Sequence, residues 1–569
     1  MMKTTSSLAN LLILLGILVV LNLIGSRFYT YLDLTEDKRY TLTDSTKKLL
    51  NKTDDNYYVT VYLDGTFPAS IKRFRDRVEE TLKQFQGESA YINYEFIDPI
   101  DGTPEEVKLM EKNLVDQRLY PTTINYFDGE ENIMKPIFPY AVFKYFNKEV
   151  QVNLLDVEGV TNYDDQTLNA AEGVLEYKFA NAISKLQLQN KPIIAYTTGN
   201  GEYEINQIAS LNRHLRKYYR PVQIDLDTMY NLTNAVDLVI VAAPKTAFSA
   251  RNQFMLDQYI MSGGRVLWLI EEMDIRLDSI AFGSGYIPPL IDHGLDNLFF
   301  KYGFKILDNT ILDLESSSIP QVVGNAGGTP QMDMFKYYYH PLISSTSSHP
   351  IVKNIDRINM FFPSTIDTVV TKPGIKKTFL LKSSQYSRYQ LAPLSLDFRM
   401  LGIKPQVSKF NRGNQPVALL LEGEFESAFK NRLTQEQNEA LARVGRKFLD
   451  ESPSTSMIVI SDAEFTKNLY NPDNNNITPI GFNKWERKIY AGNKDLILNS
   501  VEYLLDKDGI LASRAKEFQM RLLDEQEVTN RKMYWQSLNI AFPIISLVVF
   551  GLIFYFARKY RFSKKRVAQ

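Results

Sequence analysis

The chain has 569 residues, 44% hydrophobic and 23% charged, with a net charge of −1. Its length suits roughly three or four domains, and its near-neutral charge argues against a nucleic-acid binder, which needs clustered Lys and Arg to meet phosphates. The absence of cysteine excludes disulfides, thiolate metal sites, thiol nucleophiles and redox dithiols, but leaves an oxidising compartment open, because large domains can dispense with disulfides.

Residues 1–7 are short and polar, and an apolar run from Leu8 to Ile24 follows (LANLLILLGILVVLNLI). The lone Lys3 and the absence of a small-residue cleavage site after Ile24 favour a retained transmembrane helix over 8–26 rather than a cleaved signal. A linker over 27–51 carries Asp33-Leu34-Thr35 and then Arg39-Tyr40-Thr41-Leu42-Thr43. Thr43 and Asp44 are good N-cap types for a short helix over 45–50.

Residues 52–188 read as an α/β domain. Strand-forming runs fall at 57–63, 91–97, 122–127, 141–146 and 150–154. Helical spacing appears at Ile71, Phe74, Val78, Leu82 and Phe85, and further helices are expected over 104–113 and 168–186. The order β-α-β-α-β-β-α resembles the thioredoxin fold, with Pro121 placed before the third strand. Where a redox member carries C-x-x-C, this chain has Asp64-Gly65-Thr66-Phe67-Pro68, so disulfide exchange is excluded.

Residues 190–505 read as a second, doubly wound α/β domain, because buried-type strands alternate with helices. The expected strands are 192–196, 222–226, 238–243, 265–271 and, after a long interruption, 456–460. Helices are expected over 204–219, 249–261 and 494–505, the second closed by Ser262-Gly263-Gly264. The interruption, 276–415, reads as a β-rich insertion with hairpins such as 377–383 and 417–424. A polar stalk helix over 506–539 leads through Tyr534 and Trp535 to an uncharged run at 540–557, IAFPIISLVVFGLIFYFA. Eighteen helical residues rise about 27 Å, close to the hydrocarbon thickness of a bilayer. The tail 558–569 carries Arg558, Lys559, Arg561, Lys564, Lys565 and Arg566, the mark of a cytoplasmic end. Two spans place both termini in the cytoplasm and the bulk of the chain in the periplasm of a two-membrane bacterium.

Candidate sites are few. Gly199-Asn200-Gly201-Glu202 follows the first strand of the second domain, where open α/β sheets hold ligands. Its amides would meet an anion that Glu202 orients; a tight turn that needs only glycine torsions explains the same residues. Glu271, Glu272 and Asp274 follow another strand and suit either a hard cation or a solvated loop. The basic cluster Arg213, His214, Arg216, Lys217 and Arg220 suits a helix C-terminus or a docking face. His340 has no evident nucleophile or acid to work with. No metal site and no cofactor are expected, and no P-loop motif is present.

The D-L-T and R-Y-T-L-T strings beside a first span, two exported α/β domains, a stalk and a closing span resemble the auxiliary, so-called substrate-binding subunits of gliding-motility-associated ABC transporters of Bacteroidetes, the GldG type. The second domain resembles the glutamine-amidotransferase-like sandwich of those subunits, without the superfamily's elbow cysteine. The resemblance implies a non-catalytic membrane subunit working with a separate ATPase and a separate permease. A periplasmic module for a glycan, peptide or lipoprotein is the alternative, and a hydrolase the least favoured.

Overall fold

The computed structural model describes residues 41–127, 132–155, 165–229, 231–232, 235–282, 285–326, 328–443, 446–473, 476–515 and 531–563, with Ile13, Gly16, Ile17 and Val20 near the N-terminus. The D-L-T string, most of the N-terminal apolar run and the tail beyond Ser563 lie outside these residues. The expected first span and its topology are therefore not described. The chain divides into a large unit, residues 1–516, and a second unit, residues 517–569.

In the large unit the helix Asp44–Asn51 starts where the N-cap signal placed it, with Thr43 Oγ1 accepting from the Thr46 amide. The first sheet is built from β1 (Tyr57–Val61), β2 (Ile92–Phe96), β5 (Tyr140–Tyr145) and β6 (Lys148–Asn153), in the order β2-β1-β5-β6. β1 and β2 are parallel, and β5 is antiparallel to both β1 and β6. The helix Ala69–Glu88 covers this sheet with the expected stripe of Ile71, Phe74, Val78, Leu82 and Phe85, all buried. The helix Pro104–Asp116 is held at its start by a capping box between Thr103 and Glu106.

Two expectations fail in this region. The segment 122–127 is not the third strand of the sheet. It forms β3 (Thr122–Phe127), which pairs only with β4 (Asn132–Ile137) in a separate hairpin. The third sheet strand is β5, so the proline ahead of it is Pro139 rather than Pro121. The single helix expected over 168–186 is two helices, Asp165–Gly173 and Leu175–Gln187. The break falls at Gly173 and Val174, both poor continuers of a helix.

The second sheet has seven strands: β7 (Ile193–Thr198), β8 (Arg220–Asp225), β9 (Leu238–Ala242), β10 (Arg265–Leu269), β17 (Lys376–Lys382), β19 (Pro416–Gly423) and β20 (Thr455–Ile460). Their order is β17-β19-β20-β10-β9-β7-β8, with the five strands from β20 to β8 parallel. Both faces of the sheet's centre are covered, which is why β9, β10 and β20 read as nearly unbroken apolar runs. Leu238, Ile240, Leu267 and Leu269 enter the core on one face. Val239, Val241, Val266 and Trp268 enter the core on the other. The helix Ala250–Met261, N-capped by Ser249, belongs to the second face, and the helix Ala491–Leu505 to the first. The helix expected over 204–219 is shorter, Ala209–Leu215.

The expected hairpins at 377–383 and 417–424 are not separate features of the insertion. As β17 and β19 they pair with each other and extend the main sheet as its antiparallel edge. The rest of the insertion is built from β11 (Phe304–Ile306) with β16 (Ile366–Thr368), β12 (Asn309–Asp313) with β18 (Ser387–Leu391), and the long ribbon of β13 (Ser316–Ala326) and β14 (Thr329–Ile343), to which β15 (Ile358–Asn359) adds. An aromatic core of its own lies here, around Tyr337, Tyr339 and Phe410.

One core cluster runs from the first sheet into the second, joining Val59, Phe179 and Ile183 to Ile240 and Leu267. Glu502 ties the two polar margins together. It accepts from Lys185 Nζ at 2.6 Å, from Asn181 Nδ2 at 3.2 Å and from the Tyr177 hydroxyl. Residues 506–515 do not begin a free stalk. Ile510–Ala515 is a short 3-10 turn with Ile510 and Leu511 buried in this same core.

In the second unit, Lys532–Ser563 is one 32-residue helix. It is the one helix among the described residues that is long and apolar enough to cross a membrane. It starts eight residues before the expected span and takes in Tyr534 and Trp535.

Candidate functional site

Along the five parallel strands, chain order runs second, first, third, fourth, fifth across β8-β7-β9-β10-β20. The order reverses between β7 and β9. Loops leaving neighbouring strands there depart in opposite directions, which opens a crevice at the carboxyl ends of the strands.

The turn after β7 sits at this crevice. Gly199 and Gly201 take φ of +107° and +79°, torsions that any side chain disfavours. A Cβ on Gly201 would stand 3.0 Å from that of Lys245. Asn200 is buried and stitches the turn to the loop after β9. Its carbonyl accepts from the Lys245 and Thr246 amides at 2.7 and 3.0 Å, and its Nδ2 donates to the Ala247 carbonyl at 3.0 Å. The Asn200 amide donates to Glu202 Oε2 at 2.7 Å. A carboxylate of the chain itself thus takes the position an anion would hold at that amide. Glu202 Oε1 is buried without a hydrogen-bond partner.

Beyond the turn the crevice is charged. The Tyr203 hydroxyl donates to Glu271 Oε1 at 3.0 Å, and Lys245 Nζ meets Glu271 Oε2 at 2.5 Å and Asp274 at 3.6 Å. Lys467 Nζ lies 5.4 Å from the centre of the Tyr203 ring. Burial, and then Glu271, push the Tyr203 hydroxyl well above its ordinary range. Burial works against the Lys245 charge, but Glu271 outweighs it and holds the ammonium above the usual lysine range. From the end of β20, Asp462 is fully buried and accepts from the Phe361 and Glu464 amides at 2.8 and 2.7 Å. Burial, with Glu271 and Glu464 adding to it, raises its carboxyl well above the usual range. Glu464 is raised by burial and by Glu271. The result is a cluster of charge pairs and protonation-prone carboxyls. It is suited to recognising a polar group.

Of the three acids after β10, Glu271 and Asp274 converge on Lys245 and Glu272 turns elsewhere. Glu271 binds Lys245 and Tyr203, Glu272 faces His293 at 3.4 Å, and Asp274 pairs with Arg276 at 3.0 Å. No group of three or more acidic or histidine side chains suited to a metal ion occurs among the described residues. Arg213, Arg216, Lys217 and Arg220 are exposed, and His214 donates through Nδ1 to the Ser210 carbonyl at 2.8 Å, inside its own helix. His340 is fully buried among aromatic rings, with neither ring nitrogen hydrogen-bonded. In the first sheet, the loop after β1 is closed by Arg75 Nε on Asp64 at 3.3 Å.

Sequence reasoning missed Lys245, Tyr203, Asp462, Glu464 and Lys467. The available signal was Ser461-Asp462-Ala463-Glu464 directly behind the apolar strand β20, a second polar turn at a strand end.

Similarity to known proteins follows the same division of the chain. Residues 191–500 match a family described as an ABC-type uncharacterized transport system, and residues 36–144 match a domain of unknown function. An uncharacterized protein of Borreliella burgdorferi is 21% identical over 557 residues, covering 94% of each chain. A solved structure, the mmIFT52 N-terminal domain, covers 55% of this chain and 98% of its own, at 14% identity and a TM-score of 0.31. The first match takes in more than half of the chain and nearly all of the second sheet with its insertion, and on it the chain belongs to the ABC-type transport system auxiliary family.

Proposed function

We propose that the chain is a non-catalytic, membrane-anchored auxiliary subunit of an ABC transporter of the gliding-motility (GldG) type. It crosses the inner membrane twice, keeps its α/β domains in the periplasm, and docks on a separate permease that works with a separate ATPase. The observation that carries this reading is the family match over 191–500 in a chain that also holds a membrane-length helix, Lys532–Tyr560, followed by a basic tail. The first sheet, ordered β2-β1-β5-β6, supports a thioredoxin-like domain, and the second supports an amidotransferase-like one; both lack the thiol their enzymatic counterparts use. On this reading the two domains are scaffold and coupling elements. Extraction from native membranes under mild detergent should recover the chain with one ATPase and one permease. Recovery of the chain alone would refute the proposal.

A second reading keeps ligand binding at Gly199, Asn200, Gly201 and Glu202. It is favoured by the turn's place at the switch in strand order and by the unpartnered Glu202 Oε1. The same preparation separates the two. An Asn200→Ala, Glu202→Ala variant that still co-purifies with both partners but no longer supports transport favours the second reading; intact transport excludes it.

A further inference from the structure

The β-rich insertion carries an open surface depression of about 300 Å³ lined by Arg388, Tyr389, Ser408, Lys409, Asn411 and Arg412. The lining carries three cations and no carboxylate. Among the described residues none of the three cations is ion-paired with Asp or Glu, although the chain as a whole has 66 acidic residues to its 65 Lys and Arg.

Two of the three cations, Arg388 and Arg412, lie against aromatic rings instead of acids. The Arg388 guanidinium lies 5.3 Å from the centre of the buried Phe410 ring, and that of Arg412 lies 5.1 Å from the Tyr389 ring. Arg412 also donates to the Tyr389 hydroxyl at 2.6 Å. The Arg388 Nε–H is buried and has no acceptor. The backbone beneath is paired and closely packed. Arg388 and Tyr389 lie on β18, which pairs with β12 opposite Leu312 and Ile311. The Arg412 amide donates to the Ser387 carbonyl at 3.0 Å. Gly413 presses so closely on Gln385 that a Cβ there would stand 2.3 Å from its carbonyl oxygen.

A buried, unmet guanidinium donor is costly, and like charges gathered without counter-ions repel one another. An oxyanion seated here would meet the unmet Arg388 donor and offset the gathered charge. Planar guanidinium forks match oxyanions, and Ser408, Asn411 and Lys409 add hydroxyl, amide and ammonium donors. We propose that this depression is a binding site for a phosphate ester, seated between Arg388, Lys409 and Arg412. The site is separate from the crevice at the ends of β7 and β9 and does not depend on the reading given to it.

The test is isothermal titration of the full-length chain in a non-ionic detergent, at fixed ionic strength set with sodium chloride. The probes are inorganic phosphate, glycerol 3-phosphate and dihexanoyl phosphatidylglycerol. One saturable site per chain is expected. Lys409→Gln and Arg412→Gln, both at exposed positions, should each weaken it roughly tenfold while leaving the melting temperature unchanged. Binding of the soluble phosphates assigns a free phosphorylated compound, and binding of the phosphatidylglycerol alone assigns a lipid headgroup. No saturable binding of any probe up to about 1 mM overturns the proposal, as does equal binding by the Arg388→Gln, Lys409→Gln, Arg412→Gln variant.

Discussion

His340 shows how far one residue's environment departs from its sequence context. Its ring packs against Tyr337, Phe361 and Phe362 at centroid distances of 4.8, 4.9 and 5.2 Å. Burial, aided by Lys484, lowers its pKa to about 3. The unfolded imidazole titrates near 6.5. Between these values the unfolded chain takes up a proton that the folded chain refuses. The stabilising contribution of neutral His340 is therefore complete above about pH 6.5 and is lost as pH falls toward 3, at about 1.4 kcal/mol per pH unit. His340→Phe keeps an aromatic ring and removes the titration. Denaturant midpoints measured from about pH 6.5 down to 5 should fall more steeply for the parent than for the variant. Parallel profiles would show that His340 titrates normally in the folded state. The string Tyr337-Tyr338-Tyr339-His340 was visible in the sequence, but the rings that enclose it arrive from 361–362, across the β14–β15 pairing. Lys245, Asp462 and Glu464 escaped notice for the same reason. Lys245 lies on the loop after β9, Asp462 and Glu464 on the turn after β20, and only the sheet brings those two segments to one edge.

At the scale of elements, what was legible depended on whether the deciding interaction was local. The apolar runs of β9, β10 and β20 and the buried stripe of Ala69–Glu88 announce themselves, because burial on a face imposes a period on neighbouring residues. The partners of β17 and β19 are chosen by pairing at a distance, so those strands were found but assigned to the wrong neighbours; β3 was placed in the sheet because its hairpin partner β4 was not recognised as a strand. The helix Ala491–Leu505 was also found, without its role as the joint between the two sheets. Lys185 and Glu502 are largely shielded there, with 10% and 18% of their side chains exposed. Glu502→Leu leaves the Lys185 ammonium without a counter-charge, and breaking one side of a shielded pair costs about 3 kcal/mol. A clear drop in the melting temperature is expected, and a smaller drop in the Lys185→Met, Glu502→Leu double variant, where no orphaned charge remains. Additive losses in the two single variants would mean the pair contributes nothing beyond its separate packing.

For the whole molecule, the proposed arrangement rests on charge asymmetry about the closing span. Lys532–Tyr560 has the length to cross a bilayer, and the residues that follow include Arg561, Lys564, Lys565 and Arg566. Basic residues beside a span are retained on the cytoplasmic side, so the large unit before the span should lie on the far side. The composition supplies its own test. With no native cysteine, a single introduced thiol is the sole target for a membrane-impermeant maleimide. Val370 is 98% exposed, in the segment between β16 and β17, and tolerates a thiol without disturbing the core. Val370→Cys should be labelled in intact spheroplasts. Ala568→Cys, in the basic tail, should be labelled only after the membrane is opened. Labelling of both before lysis would remove the cytoplasmic tail from the arrangement. Labelling of Ala568→Cys alone would invert it and place the crevice, the phosphate site and any docking surface on the same side as the ATPase.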